Sequence, residues 1–196
     1  MARKQAKREL RDAQPVVIGA GLTEKRYFEH LKKLREYKVS LRPRFFGRDN
    51  ASTMDHLVKA TLSDGITAIC VFDMDATQWD GSEKKRLAEF IKTYKNNPSV
   101  VICGSMPSIE YWFLLHYKDT HKAFRTSDDV IKELNKFIPD FEKTDHFLKH
   151  IHWVSDMIAD GRMDLAVERS KNSNTSEESY TDIWKAIEFL EKKIVK

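Results

Sequence analysis

The chain is poor in cysteine: Cys70 and Cys103 are the only two in 196 residues. Both lie in apolar, strand-like runs. The expectation is a pair of buried, reduced thiols in a cytoplasmic protein, which excludes a disulfide framework. No apolar run approaches the roughly 20 residues that cross a bilayer, so no membrane partner is expected. The segment "MARKQAKRELRD" is basic but lacks the apolar stretch of a signal peptide. There is no internal repeat. A strong excess of one charge is also missing, since 34 Lys and Arg face 30 Asp and Glu for a net charge of +4. That balance permits nucleic-acid binding without requiring it. The "GAG" at 19–21 lacks the third glycine of a dinucleotide fingerprint, because Glu24 stands in its place.

What is present reads as one soluble domain. Hydrophobic residues make up 41% and charged residues 33%, a globular composition on a chain long enough to build its own core. Residues 1–13 read as a solvated basic tail, 14–120 as an α/β core, and 121–196 as a mainly helical C-terminal part of the same domain. Apolar Pro15–Gly19 predicts a strand. Thr23 is a candidate cap for the helix after it, whose buried face is Tyr27, Phe28, Leu31 and Leu34. "LRPRFF" (41–46) predicts a second strand near a sheet edge, because Pro43 cannot donate to a ladder. A helix follows at 52–63. "ITAICVFDMD" (66–75) is nearly continuous in apolar residues, as a strand covered on both faces should be. A charged helix at 81–96, a strand at 99–104 and an apolar helix at 108–117 complete an alternation that implies a parallel sheet with helices packed on it. Beyond Thr126 the pattern is helical, with a polar loop at 169–180 and a last helix at about 181–194.

Asp73 and Asp75 stand at the carboxyl end of the central strand, the edge at which open parallel sheets bind ligands. Alternation points both carboxylates one way, with Met74 opposite. Convergent carboxylates suit a hard divalent cation such as Mg²⁺, which also leaves room for phosphate oxygens; loop-capping acids are the ordinary alternative. Glu110 begins an apolar helix among Ile109, Trp112, Phe113 and Leu114. It needs a partner or a metal there, or serves simply as a first-turn acid favoured by the helix dipole. His146, His150 and His152 lack both the cysteines and the His-Glu pairing of common zinc sites. His116 ends an apolar helix, where a core or capping role is the default. Arg42, Arg44 and Arg48 in "LRPRFFGR" either follow a phosphate backbone or line the solvent face of a strand.

Taken in order, "VIGAGLTEKRYFEHL", "VFDMDA" and "PSIEYWFLLHY" resemble the RloB-like family over about residues 15–118, and more weakly to "YTDIWKAIEFL" (180–190). The resemblance implies a Toprim-type, Rossmann-like α/β fold shared with topoisomerases, primases and the overcoming-lysogenization-defect nucleases. Gly21, Thr23, Glu24, Tyr27 and Phe28 match the family's first turn. Its acidic residue falls at position 20, where this chain has Ala20. The family's two aspartates fall on Asp73 and Asp75, and its helix acid on Glu110. The implied activity is Mg²⁺- or Mn²⁺-dependent cleavage of DNA or RNA, tRNA included, often beside a partner ATPase of the AAA or ABC type in bacterial anti-phage defence. Ala20 marks either a degenerate subunit or a Glu→Ala replacement; the otherwise intact motif and the truncated methyl side chain favour the replacement.

The mechanism expected for the active form uses a carboxylate at position 20 with Asp73, Asp75 and Glu110. Asp73 and Asp75 would hold the metal, and the acids would face solvent or metal rather than the core. Two rivals stand beside it: a non-catalytic nucleic-acid-binding or regulatory subunit, and another D-x-D enzyme such as a phosphatase or sugar transferase. The phosphatase usually carries its motif after the first strand, and the sugar transferase usually needs a longer chain.

Overall fold

The computed structural model describes residues 14–19, 21–42, 51–74, 81–173 and 178–194. Along these the chain forms β1 (Val16–Gly19), α1 (Leu22–Leu34), β2 (Ser40–Arg42), α2 (Ala51–Ser63), β3 (Ala68–Asp73), α3 (Gly81–Tyr94) and β4 (Val100–Met106). It continues through α4 (Glu110–Leu115), α5 (Ser127–Leu134), α6 (Asp145–Leu148), α7 (His152–Ile158), α8 (Arg162–Lys171), β5 (Tyr180–Thr181) and α9 (Ile183–Ile194). The strands make one sheet in the order β2-β1-β3-β4-β5. The first four are parallel and β5 is antiparallel to β4. The architecture is Rossmann-like α/β, as the alternation of strands and helices implies.

Alternation along each strand sorts the side chains into two cores. Val17, Ile69, Val71 and Cys103 join Tyr27, Phe28, Trp112, Phe113 and the helices after α4 in one cluster. Val16, Ile18, Cys70 and Phe72 face the other way, onto Met54 and Val58 of α2 and Leu87, Phe90 and Tyr94 of α3. Cys70 and Cys103 are therefore on opposite faces of the sheet; both are free and buried. The first cluster includes Val130, Leu148, Trp153, Met163 and Ile187, so α5 to α9 bury their apolar faces against the same layer as α1 and α4. Its centre is aromatic. The Tyr27 ring lies 5.1 Å from Phe113, Phe113 lies 5.2 Å from Trp153, and the Trp112 indole N–H donates to the Tyr27 hydroxyl at 2.7 Å. Truncating one of these rings to Ala would cost about 3–5 kcal/mol through lost contacts and the cavity left behind.

Several boundaries differ from the sequence reading. Gly21, not Thr23, is the N-cap of α1, and no side chain caps that helix. Thr23 is buried within the first turn. β2 is an edge strand, as Pro43 implies, but it spans only Ser40–Arg42 within the described residues. The polar stretch 169–180 is not wholly a loop: α8 extends through Lys171, and Tyr180 enters β5. The Ser105 and Thr181 hydroxyls, 2.7 Å apart and buried, satisfy each other across that short pairing. Among the described residues, no helix is long and apolar enough to cross a membrane.

Candidate active site

Strand order reverses direction at β1 and β3, because the chain leaves β1 for β2 on one side and returns to β3 on the other. At such a switch point the connections leaving the carboxyl ends diverge, opening a crevice. Three carboxylates from three segments meet there. Asp73 is the last residue of β3. Its Oδ1 accepts the Ile109 backbone N–H at 2.9 Å, which ties the β4–α4 connection to the end of β3. Glu110, first residue of α4, is completely buried. The Ser108 hydroxyl donates to Glu110 Oε2 at 2.5 Å. Glu24 comes from the first turn of α1 and is 5% exposed.

At the β1–α1 turn, where Ala20 brings no acid, Glu24 of the first turn of α1 supplies the carboxylate. Gly21 makes room for it: a Cβ there would stand 2.6 Å from Glu24 Oε2. The backbone at Gly21 is extended, so the glycine serves close approach and not an unusual conformation. The sequence showed Glu24 only as a motif match and as a substitute for a fingerprint glycine. That this acid turns inward depends on the small residue three positions before it.

One ammonium faces the carboxylates. Lys143, in the connection between α5 and α6, places Nζ 3.1 Å from Glu110 Oε1. The contact is an ion pair and not an aligned hydrogen bond, and among the described residues Oε1 has no hydrogen-bond partner. Thr144 caps α6 by accepting the Phe147 N–H, and Arg26 of α1 binds Asp145 Oδ1 through Nε at 2.9 Å and Nη2 at 2.6 Å. These contacts hold the chain on the C-terminal side of Lys143 against α1. Nothing in the sequence singled out Lys143, one basic residue among 34.

The electrostatics follow from burial and from like charge. Burial raises the Glu24 carboxyl to about 7, with Glu110 adding to the rise and Lys143 opposing it. Asp73 is raised well above the carboxylate range, first by burial and then by Glu24 and Glu110; Lys143 and the Ile109 N–H pull the other way. Burial works against the Lys143 charge, but Glu110, Asp73 and Glu24 together raise its pKa. Glu24 and Asp73 thus resist ionisation while their neighbours are charged. Of the acids expected to face solvent or metal rather than the core, Glu110 does not face solvent: its side chain lies in the protein interior, because α4 is apolar on every side and packs whole into the core.

Asp73 and Glu110 are brought together at the carboxyl edge. Ala20, Asp75, Arg44 and Arg48 lie outside the described residues. Gly19 and Gly21, on either side of Ala20, stand at the carboxyl end of β1. Arg42 is exposed at the end of β2, paired in register with Ile18. Among the described residues, no group of three or more His, Cys, Asp or Glu is arranged to hold a metal ion by itself. His146 and His150 only pack edge to face, with ring centroids 5.9 Å apart. His116 is a core residue, its Nδ1 2.9 Å from the Trp112 carbonyl oxygen.

No curated protein and no solved structure matches the chain. The family described as RloB-like protein matches residues 16–190, from the first residue of β1 into α9 and including Glu24, Asp73, Glu110 and Lys143. The chain belongs to the RloB-like protein family.

Proposed function

We propose that this chain has the site of a divalent-metal-dependent nuclease of Toprim type, hydrolysing phosphodiester bonds in DNA or RNA. The observation that carries the reading is the convergence of Glu24, Asp73 and Glu110 at the switch point of the sheet. Buried carboxylates gathered at one edge, with Glu24 and Asp73 raised by burial and by their neighbours' charge, call for a cation. Their donors are all oxygen, which suits Mg²⁺ or Mn²⁺ better than a soft metal. The unbonded lone pair on Glu110 Oε1 fits the same demand. Asp73 and Glu110, with Asp75, would hold the ion. When bound, it would polarise the scissile phosphate and supply an activated water.

The chain's own residues account for the rest of the arrangement. Ser108 fixes the Glu110 carboxylate, and the Ile109 N–H fixes Asp73, so neither needs to reorganise when charge develops nearby. A carboxylate at position 20 would accept the proton of the attacking water or complete the ligand set. Glu24 keeps one carboxylate at this turn despite Ala20. Arg42, with Arg44 and Arg48, would contact the phosphate backbone and position it without reading sequence. We further propose, from family membership, that the protein acts in the cytoplasm as the effector of an anti-phage defence system with a partner ATPase.

The deciding experiment restores the acid. Ala20→Glu should gain Mg²⁺- or Mn²⁺-dependent cleavage of plasmid, single-stranded DNA or tRNA, and Asp73→Asn or Glu110→Gln in that background should remove it. The effects should not add, because the acids act as a unit. If Ala20→Glu cleaves none of these, alone or with an ATPase partner, the chain is a binding or regulatory subunit.

A further inference from the structure

We infer that Lys143 is a resident counter-ion which a divalent cation displaces from Glu110, so that metal loading frees the ammonium. This inference rests on the metal-binding reading above and adds a regulatory coupling to it. The argument begins with Glu110, whose two oxygens are treated differently. Oε2 receives a directional hydrogen bond from Ser108, whereas among the described residues Oε1 has the Lys143 charge at 3.1 Å and no aligned donor. An ion held by charge without a directional bond can be exchanged for another cation with little geometric penalty. A divalent ion would approach the same oxygen to about 2.0–2.1 Å. The ammonium would then face a like charge at the oxygen it holds, and that repulsion would offset its attraction to Glu110 and drive it away.

Lys143 is built to leave. Its side chain is 37% exposed, while that of Glu110 is 0% exposed, so part of the lysine side chain already reaches water and the carboxylate does not. The backbone after it is held by the Thr144 cap and by the Arg26–Asp145 pair. The long stem can therefore swing while its anchor stays in place. Until the exchange, the ammonium compensates the buried charge of Glu110, and Asp73 and Glu24 share in its field.

The test reads Lys143 directly in the unaltered chain. Its acetylation rate at mildly alkaline pH is followed by mass spectrometry with and without Mg²⁺, using exposed Lys84 and Lys85 of α3 as internal controls. Mg²⁺ should raise the Lys143 rate severalfold and leave the controls unchanged. In parallel, Mn²⁺ binding is measured by electron paramagnetic resonance. Lys143→Met should bind Mn²⁺ about tenfold or more tightly, because a competing charge is gone from a poorly screened site. Lys143→Arg, which keeps the charge, should bind near the parent value. A Lys143 rate indifferent to Mg²⁺ overturns the inference even if Lys143→Met fails to fold. Equal or weaker Mn²⁺ binding by folded Lys143→Met overturns it while leaving the metal site standing. Absence of Mn²⁺ binding in the parent and all variants overturns both this inference and the metal-dependent reading.

Discussion

Glu24→Gln isolates the electrostatic cost of gathering carboxylates at the sheet edge. Glutamine keeps the shape of the side chain and removes its charge. In the folded protein the Glu24 carboxyl is raised from the ordinary 4.5 to about 7, chiefly by burial and then by Glu110. A raised folded pKa means that the unfolded chain ionises first as pH increases. The associated stability is therefore fully present below about pH 4.5 and is lost as pH climbs through 7. The shift corresponds to about 3 kcal/mol once the group is fully ionised. At pH 8.5 Glu24→Gln should thus be more stable than the parent by up to about 3 kcal/mol, part of it from easier ionisation of Asp73. At pH 4.5 the two proteins should be nearly equal. Urea unfolding at both pH values, with magnesium withheld, measures the difference. Parallel pH profiles for the two proteins would refute the reasoning, because they would show that Glu24 does not titrate inside the cluster.

Gly21→Ala places a Cβ against Glu24 Oε2, whose side chain is free to turn at its far end; the pH profile should flatten as in Glu24→Gln, with a stability change under about 1 kcal/mol at pH 4.5 by urea unfolding. A steep loss at every pH would instead mean that the turn itself cannot accept a side chain. His116 is lowered to about 3 by burial, so its contribution is present above about pH 6.5 and lost as pH falls toward 3. The parent should lose about 3 kcal/mol through this residue by pH 4.5, and His116→Asn should show a shallower acid limb in thermal or urea unfolding. Asp145→Asn removes the charge that Arg26 grips beside Lys143. Its unfolding midpoint in urea should barely move, as for most exposed ion pairs, and a clear loss of stability would show that the pair anchors more than the connection to α6.

The architecture was legible because its signals are local and periodic. "ITAICVFDMD" reads as a buried strand since both faces are covered, and β3 lies at the centre of the sheet between β1 and β4. Pro43 marked β2 as an edge because a missing N–H has only one tolerable place in a sheet. Asp73 was legible for a related reason: a carboxylate ending an apolar strand stands out, and it falls at the edge where open parallel sheets bind ligands. β5 was not legible. Two residues carry no period, and Tyr180–Thr181 becomes a strand only because the edge of β4 is available to pair with it.

For the site, the sequence by itself determined the types of residue and their order: an acid at the end of β3, an acid at the start of α4, and Ala20 between two glycines after β1. Tertiary structure decided which charges meet. Glu24 and Lys143 sit in "LTEKRYF" and "DFEKTDHF", where charged residues outnumber the cues that could rank them. Their importance comes from burial and apposition, which hydropathy cannot express for polar residues. Gly21 lets Glu24 turn toward Asp73, and the docking of α6 on α1 carries Lys143 to Glu110, a residue 33 positions earlier in the chain. Charge interacts through space with a strength set by the surrounding dielectric, and only the folded chain sets both distance and dielectric.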